Sequence, residues 1–362
     1  MFARPRLIVD LDAIAANYRR LRQTVAAAEC AAVIKADAYG LGASTVGRRL
    51  LAENCRTFFF AHLTEAIELA PSIQDAGGRA FILNGLGLNR VDDVVGHGII
   101  PVLSTLEEAR QWKMDASGAP AALHLDTGMN RLGLPARHDQ TVRDLQSSDL
   151  NLVHIMSHLA CADEPGRPEN RAQLNRFIER ANGFGDLPRS LSNSAGCFLG
   201  PDFQFDMARP GLALYGAQPV IGQRIPLTIA CRFEAPVLQV RRFSKGEAFG
   251  YGGTHIAASD GFSATIGAGY ADGVPRCFSN RCHVRICGLN APIIGRVSMD
   301  SFTIDISKVP DPESLLHQSA QIYGSELSVD DQAANAGLSA YELLTRIGGR
   351  TERVHINELA SR

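Results

Sequence analysis

Apolar residues recur along the first two-thirds of the chain in two alternating rhythms. Ile14, Tyr18, Leu21 and Val25 share one face of a 3.6-residue period and predict an opening helix. Short apolar runs then follow at 31–34, 58–61, 80–83, 99–103, 121–125, 152–156, 190–192 and 212–215, the last preceded by 207–211. Between them lie amphipathic stretches marked by Val46/Leu50, Ala66/Leu69, Val91/Val94/Val95, Leu106/Ala109 and Leu174/Phe177/Ile178. Strand-like runs alternating with helices predict a TIM-type (β/α)₈ barrel. A doubly wound open sheet is the rival architecture, and the number of strand-like runs favours the barrel.

From Pro226 the rhythm changes to period two. Phe302, Ile304 and Ile306 face one way and Thr303, Asp305 and Ser307 the other, and Val284 and Ile286 alternate with His283 and Arg285. Glycine-rich turns punctuate this part, and a late helix is predicted over 341–347 by the capping pattern Ser339…Glu342. The expected organisation is a barrel domain over 1–225 and a β-rich C-terminal domain over 226–362. The first strand is the one early segment that could pair with the second domain instead.

Composition narrows the function classes. Hydrophobic residues make up 45% and charged residues 20%, as in an ordinary globular enzyme. A formal net charge of -2 offers no attraction to nucleic acid or an anionic membrane. Arg4, Arg6 and Asp10 interrupt the start where a secretory signal would be apolar, and no apolar run reaches membrane-spanning length. The 8 cysteines form no CxxC pair. They read as reduced, small buried residues of a cytoplasmic protein.

Several positions carry chemistry. Lys35 directly follows the first barrel-type run, where the catalytic face of such a barrel begins. A partly desolvated lysine loses its proton and attacks an aldehyde, although a lysine snorkelling at a strand end is the plainer alternative. Arg131, between Gly128 and Gly133, offers a rigid donor fork for a carboxylate or phenolate, or else a salt bridge at the rim. His154 and His158 share a face of an extended run, but their spacing fits no common zinc pattern, so hydrogen-bonded interior histidines are expected and no metal. Ser194 and the amides near Gly211 fall where barrels bind phosphate, with ordinary turn chemistry as the alternative. Gly267, Gly269 and Gly273 form GxGxxxG with no following helix, which excludes a dinucleotide loop.

Taken in order, VIKADAYGLG (33–42), DTGMNRLG, SHLACADE, SNSAG, ARPGLALYG, GYGGT, GYADG, GRVSMD and YELL resemble the alanine racemase family over nearly the whole chain. The resemblance implies a barrel followed by a β-rich domain and an enzyme that racemises alanine, supplying D-alanine, with pyridoxal 5'-phosphate as cofactor. It implies that Lys35 carries the cofactor as a Schiff base and serves the α-proton of the D-enantiomer. Tyr251 serves that of the L-enantiomer from the partner subunit of a homodimer, with Met299 also contributed across the interface.

Tyr39, Ser194, Gly211, Leu212 and Tyr341 then hold the phosphate, and His158 and Asn193 complete the cofactor-binding set. Arg131 contacts the phenolic oxygen and the substrate carboxylate with help from the Met299 amide, while Tyr270 and Arg276 line the access route. A chain Tyr251–His158–Arg209 supports the tyrosine, whose unperturbed pKa of about 10 needs positive neighbours. Arg209 faces the pyridine nitrogen and, being a donor only, leaves it unprotonated.

Two positions depart from the family pattern. His124 stands where many members have a carbamylated lysine, and Ser190 where a histidine usually accompanies SNSAG. Rival readings are a racemase of serine, lysine or a broad set of amino acids, a non-catalytic cofactor-binding barrel and a related decarboxylase. The β-rich second domain and GYGGT argue against the last two.

Overall fold

The computed structural model describes residues 4–25, 27–116 and 118–358. By contacts the chain falls into two compact units. One comprises Ala13–Ala38 and Ala43–Thr228; the other comprises the described parts of Met1–Asp12, Tyr39–Gly42 and Ile229–Arg362.

Strand β1 (Arg6–Asp10) belongs to the second unit, where it pairs antiparallel with Cys231–Phe243 and parallel with Glu352–Ile356. The expected alternation is present there. Val284 and Ile286 of His283–Ile286 are buried, as are Phe302 and Ile304 of Phe302–Asp305. The late helix runs over Ala340–Thr345 and starts with the expected capping box between Ser339 and Glu342. A further helix, Val329–Ala336, is capped by Ser328 and was not visible in the apolar period.

The first unit is a parallel barrel built from β2 (Glu29–Cys30), β3 (Ala32–Val33), β4 (Thr57–Phe60), β5 (Arg79–Ile82), β6 (Ile100–Leu103), β7 (Ala121–His124), β8 (Leu152–Met156), β9 (Arg189–Ser190) and β10 (Met207–Ala208). The ladder order β2-β10-β9-β8-β7-β6-β5-β4-β3 returns to its start, because β2 and β3 are halves of one extended stretch. Ala31 and Val33 donate to Ala208 O and Pro210 O, while Ile34 donates to Phe59 O. One short segment thus closes the barrel by giving alternate amides to its two neighbours.

The run 212–215 is not a strand. Leu212–Tyr215 is a buried 3₁₀ turn that follows Gly211, and the eighth strand is Met207–Ala208. Apolar content alone cannot separate a buried strand from a buried helical turn. No helix among the described residues is long and apolar enough to cross a membrane.

The segment after β3 is unusual. In Lys35–Gly40, φ is 52° at Ala36, 56° at Asp37, 54° at Ala38, 57° at Tyr39 and 85° at Gly40, so the turn is left-handed. L-residues pay about 1–2 kcal/mol each for this hand. Hydrogen bonds compensate: Ala36 N–H donates to Glu65 Oε1 at 3.0 Å, Ala43 N–H to Asp37 Oδ1 at 2.7 Å, and Arg353 Nε to Gly40 O at 2.8 Å. A Cβ on Gly40 would lie 2.5 Å from the Leu344 carbonyl oxygen, a backbone atom that cannot swing away. Gly40→Ala is therefore expected to cost about 2–4 kcal/mol. Gly77→Ala, at φ +70° with nothing within 4 Å, is expected to cost only about 1 kcal/mol. Urea unfolding of both variants measures the difference; equal costs would contradict it.

Candidate active site

The C-terminal ends of the barrel strands gather the chemistry. Lys35 stands at the end of β3, half-buried. Burial first, and the nearby Arg131 guanidinium second, push its pKa below the ordinary lysine value, against an opposing pull from Glu65. A lysine in that setting loses its proton more easily than a solvated one. Glu65 had drawn no attention in the sequence. It caps 61–65 by accepting from the Ala61 and His62 amides at 2.7 and 3.3 Å while also holding Ala36, and its only signal was an acidic residue early in a βα loop.

Arg131 lies exposed in the loop after β7. That loop is wound around Asp126, whose Oδ1 accepts from the amides of Gly128, Met129 and Asn130 at 3.0, 3.1 and 3.1 Å. His124, at the end of β7, is buried; burial first and Arg209 second push its pKa down to about 4. It is neutral at ordinary pH and gives Arg131 no anionic brace.

Arg209 follows β10 and is 3% exposed. Its guanidinium donates to Ser190 Oγ and to the Ser157 carbonyl at 2.5 Å, and it lies 5.9 Å from the centre of the Phe59 ring. Burial pushes its pKa down to about 9, and no carboxylate opposes that shift. The hydroxyl of Ser190 thus takes a direct part in holding Arg209.

His158, just beyond β8, is held neutral by burial and then by Arg209, with smaller pressure from His124, Arg131 and Lys35. The same interactions place those five residues within one electrostatic neighbourhood. Asn193 Nδ2 lies 3.5 Å from His158 Nε2, and its Oδ1 accepts from the Gly196 amide at 2.9 Å. Ser194, itself buried, accepts at Oγ from the amides of Gly211 and Ala213 at 2.8 and 3.3 Å. Leu212 is buried in the turn that follows.

His154 departs from the expectation of a hydrogen-bonded interior residue. It is buried on β8 in register with Ala122, but neither ring nitrogen has a partner among the described residues. Burial, then Arg209 and Arg79, push its pKa down to about 3.

The remaining sequence-derived positions belong to the β-rich unit. The Tyr39 and Tyr341 rings are 5.9 Å apart. Tyr251 opens the 3₁₀ turn Tyr251–Gly253 and is 72% exposed, and Tyr270 and Met299 are also exposed. Tyr251, Tyr270, Arg276, Arg296, Val297 and Ser298 line a pocket of about 420 Å³.

Comparison with known proteins covers both units. Residues 9–219 match the family profile "Alanine racemase, N-terminal domain", and residues 230–355 match "Alanine racemase, C-terminal domain". The chain is similar to the alanine racemase of Rhodospirillum rubrum, with 43% identity covering 96% of this chain and 94% of that one. It is 41% identical to a catabolic alanine racemase of Rhizobium johnstonii over 96% of this chain and 93% of that one. Among solved structures, the alanine racemase of Bartonella henselae with covalently bound pyridoxal phosphate superposes with a TM-score of 0.93 at 34% identity, covering 98% of this chain and 100% of that one.

The neutral histidines set a pH dependence. A histidine whose folded pKa lies below its unfolded value of about 6.5 favours the fold fully above pH 6.5 and loses that contribution as the pH falls. The loss amounts to about 1.4 kcal/mol per pH unit per histidine, continuing for His154 to about 3. The urea midpoint is expected to drop from pH 6.5 to 4.5, and His154→Leu should flatten that slope by about one proton. An identical slope in the variant would contradict the assignment.

Proposed function

The chain belongs to the alanine racemase family, and from that membership we propose that it interconverts L- and D-alanine as a cytoplasmic homodimer, with Lys35 and Tyr251 as the two bases. The observation that carries the proposal is Lys35 itself: a lysine at the catalytic end of a barrel strand, held toward its uncharged form by burial and by Arg131.

The residues present fit pyridoxal phosphate. A lysine amine whose pKa is pushed down, the Ser194 hydroxyl beside the start of Leu212–Tyr215, and a buried cation at Arg209 with no opposing carboxylate among the described residues form a set suited to an aldehyde, a phosphate and a ring nitrogen. When bound, the cofactor supplies an electron sink conjugated to the substrate amine, which makes the α-proton acidic.

The protein's part is to hold and move that proton. Lys35 Nζ takes or returns it on one face, and the Tyr251 hydroxyl does so on the other, so the substrate need not rotate. Arg131 grips the substrate carboxylate, with its loop fixed on Asp126 in place of an anionic brace at residue 124. Arg209 would be the group to meet the cofactor's ring nitrogen; as a guanidinium it offers donors only and would leave that nitrogen unprotonated. His158, held neutral by burial and by Arg209 and lying beside Asn193, is the residue we assign to support the Tyr251 hydroxyl supplied by a second copy.

Tyr251, Tyr270 and Met299 stand exposed on the β-rich unit, as does Ile256 at 56%. Such a patch is suited to burial against a second copy, delivering Tyr251 and Met299 to the partner's barrel. The cysteines are free thiols, in keeping with a reducing compartment. Cys287 is exposed, in contrast to the buried cysteines expected from the sequence.

Two variants and their mixture test the proposal. Lys35→Ala is expected to lose the visible cofactor band and all racemisation of L-alanine. Tyr251→Phe should keep the band but lose at least about 10²-fold in racemisation. Mixing the two inactive proteins and letting them exchange subunits should restore about a quarter of wild-type activity, because half of the sites in mixed dimers receive both native bases. No recovery would contradict the shared site, and a retained band in Lys35→Ala would contradict the cofactor role of Lys35.

A further inference from the structure

The pocket beside Tyr251 has walls made of turns rather than regular strands. In the first turn Asp272 is 3% exposed, and its Oδ2 accepts from the Gly269 amide at 2.9 Å. The Asp272 carbonyl accepts from the Gly348 amide at 3.2 Å and from Thr351 Oγ1 at 3.0 Å. In the second turn the Ser298 amide and hydroxyl both donate to the Ser301 carbonyl, at 2.9 and 2.5 Å.

Backbone hydrogen bonds lace these turns together. Tyr270 N–H donates to Ser298 O and Ala271 N–H to Met299 O, each at 3.1 Å. The approach leaves no room for a side chain at Gly269, where a Cβ would lie 2.2 Å from the Met299 oxygen. Two backbone hydrogen bonds between turns are a weak fastening by themselves.

Arg350 spans both turns from outside. Its Nε and Nη2 form a two-pronged contact with Asp272 at 3.1 and 2.9 Å, and its Nη1 reaches Asp300 Oδ1 at 2.7 Å. The planar guanidinium allows this: one carboxylate takes the fork while a third N–H direction serves the other. An ammonium is a point charge and cannot hold both carboxylates in that fixed geometry.

We propose that Arg350 is a positioning residue, a clamp that keeps the Tyr270 turn and the Met299 turn in register so that the pocket beside Tyr251 presents a fixed wall to the substrate. The inference rests on the reading of Tyr251 and Met299 as the substrate-facing side of this unit. It adds that the affinity of that site for alanine depends on a residue that does not touch it. Removing Arg350 outright would strand the buried Asp272 carboxylate and endanger the fold. The informative variants are therefore Arg350→Lys and Asp300→Ala; the latter removes a single arm whose side chain is 65% exposed.

The test uses the full-length holoenzyme. Both variants are expected to keep the cofactor band, and Asp300→Ala also the wild-type unfolding midpoint, because its ion pair with Arg350 is exposed and contributes little to stability. Amide hydrogen exchange at Tyr270 and Ala271 should quicken by about tenfold. The KM for L-alanine should rise by about 5–20-fold with kcat within about twofold, since misplacing a binding group weakens the grip without removing a base. Unchanged exchange, or faster exchange with a wild-type KM, would overturn the proposal. The exchange measurement needs no substrate, so absence of wild-type turnover, which would instead mark failure of the racemase reading, is told apart from failure of the clamp.

Discussion

The barrel mouth is organised around a buried positive charge against which no carboxylate is set among the described residues. Arg209 is enclosed by Ser190, the Ser157 carbonyl and the Phe59 ring, contacts that satisfy hydrogen bonds but do not neutralise charge. Such a charge is costly to bury and persists where another group is to meet it. Its field reaches His124, His154 and His158 and, added to burial, keeps all three imidazoles neutral. Arg131 bears similarly on Lys35. The result is a rim of neutral imidazoles and a lysine of lowered basicity beside fixed cations, suited to binding anionic groups while moving a proton.

A second constraint is conformational. The turn that leaves Lys35 runs left-handed through Ala36, Asp37, Ala38 and Tyr39, none of which is glycine. Strain of this kind survives only where the surroundings over-determine it. Here Glu65, Ala43 and Arg353 supply the hydrogen bonds, and Gly40 supplies the one position where a side chain would strike backbone. The lysine is thus presented from a rigid, strained turn.

The parts of the site legible beforehand were those in which reactive residues stand next to structural punctuation. Lys35 ends an apolar run, Ser194 sits among turn residues, and Arg131 lies between glycines. Glu65, Ser157 and Arg350 escaped notice because each acts through a partner distant in sequence: Glu65 through Ala36, Ser157 through Arg209, and Arg350 through Asp272. His154 escaped differently. Its place on a strand face was readable, but its lack of any hydrogen-bond partner was not.

By itself the sequence determined the periodicities, and with them the barrel, the β-rich remainder and the capping box at Ser339, because burial on one face writes a repeat into the chain. It also determined which reactive side chains were available. Only the tertiary structure decided that 212–215 is a 3₁₀ turn rather than a strand, that 29–33 closes the barrel from both sides, and that β1 pairs with the β-rich unit. It alone decided that the histidines are neutral and that the basicity of Lys35 is lowered. Burial and charge at a site come from residues brought together in space, and a linear pattern carries no record of which charges will meet.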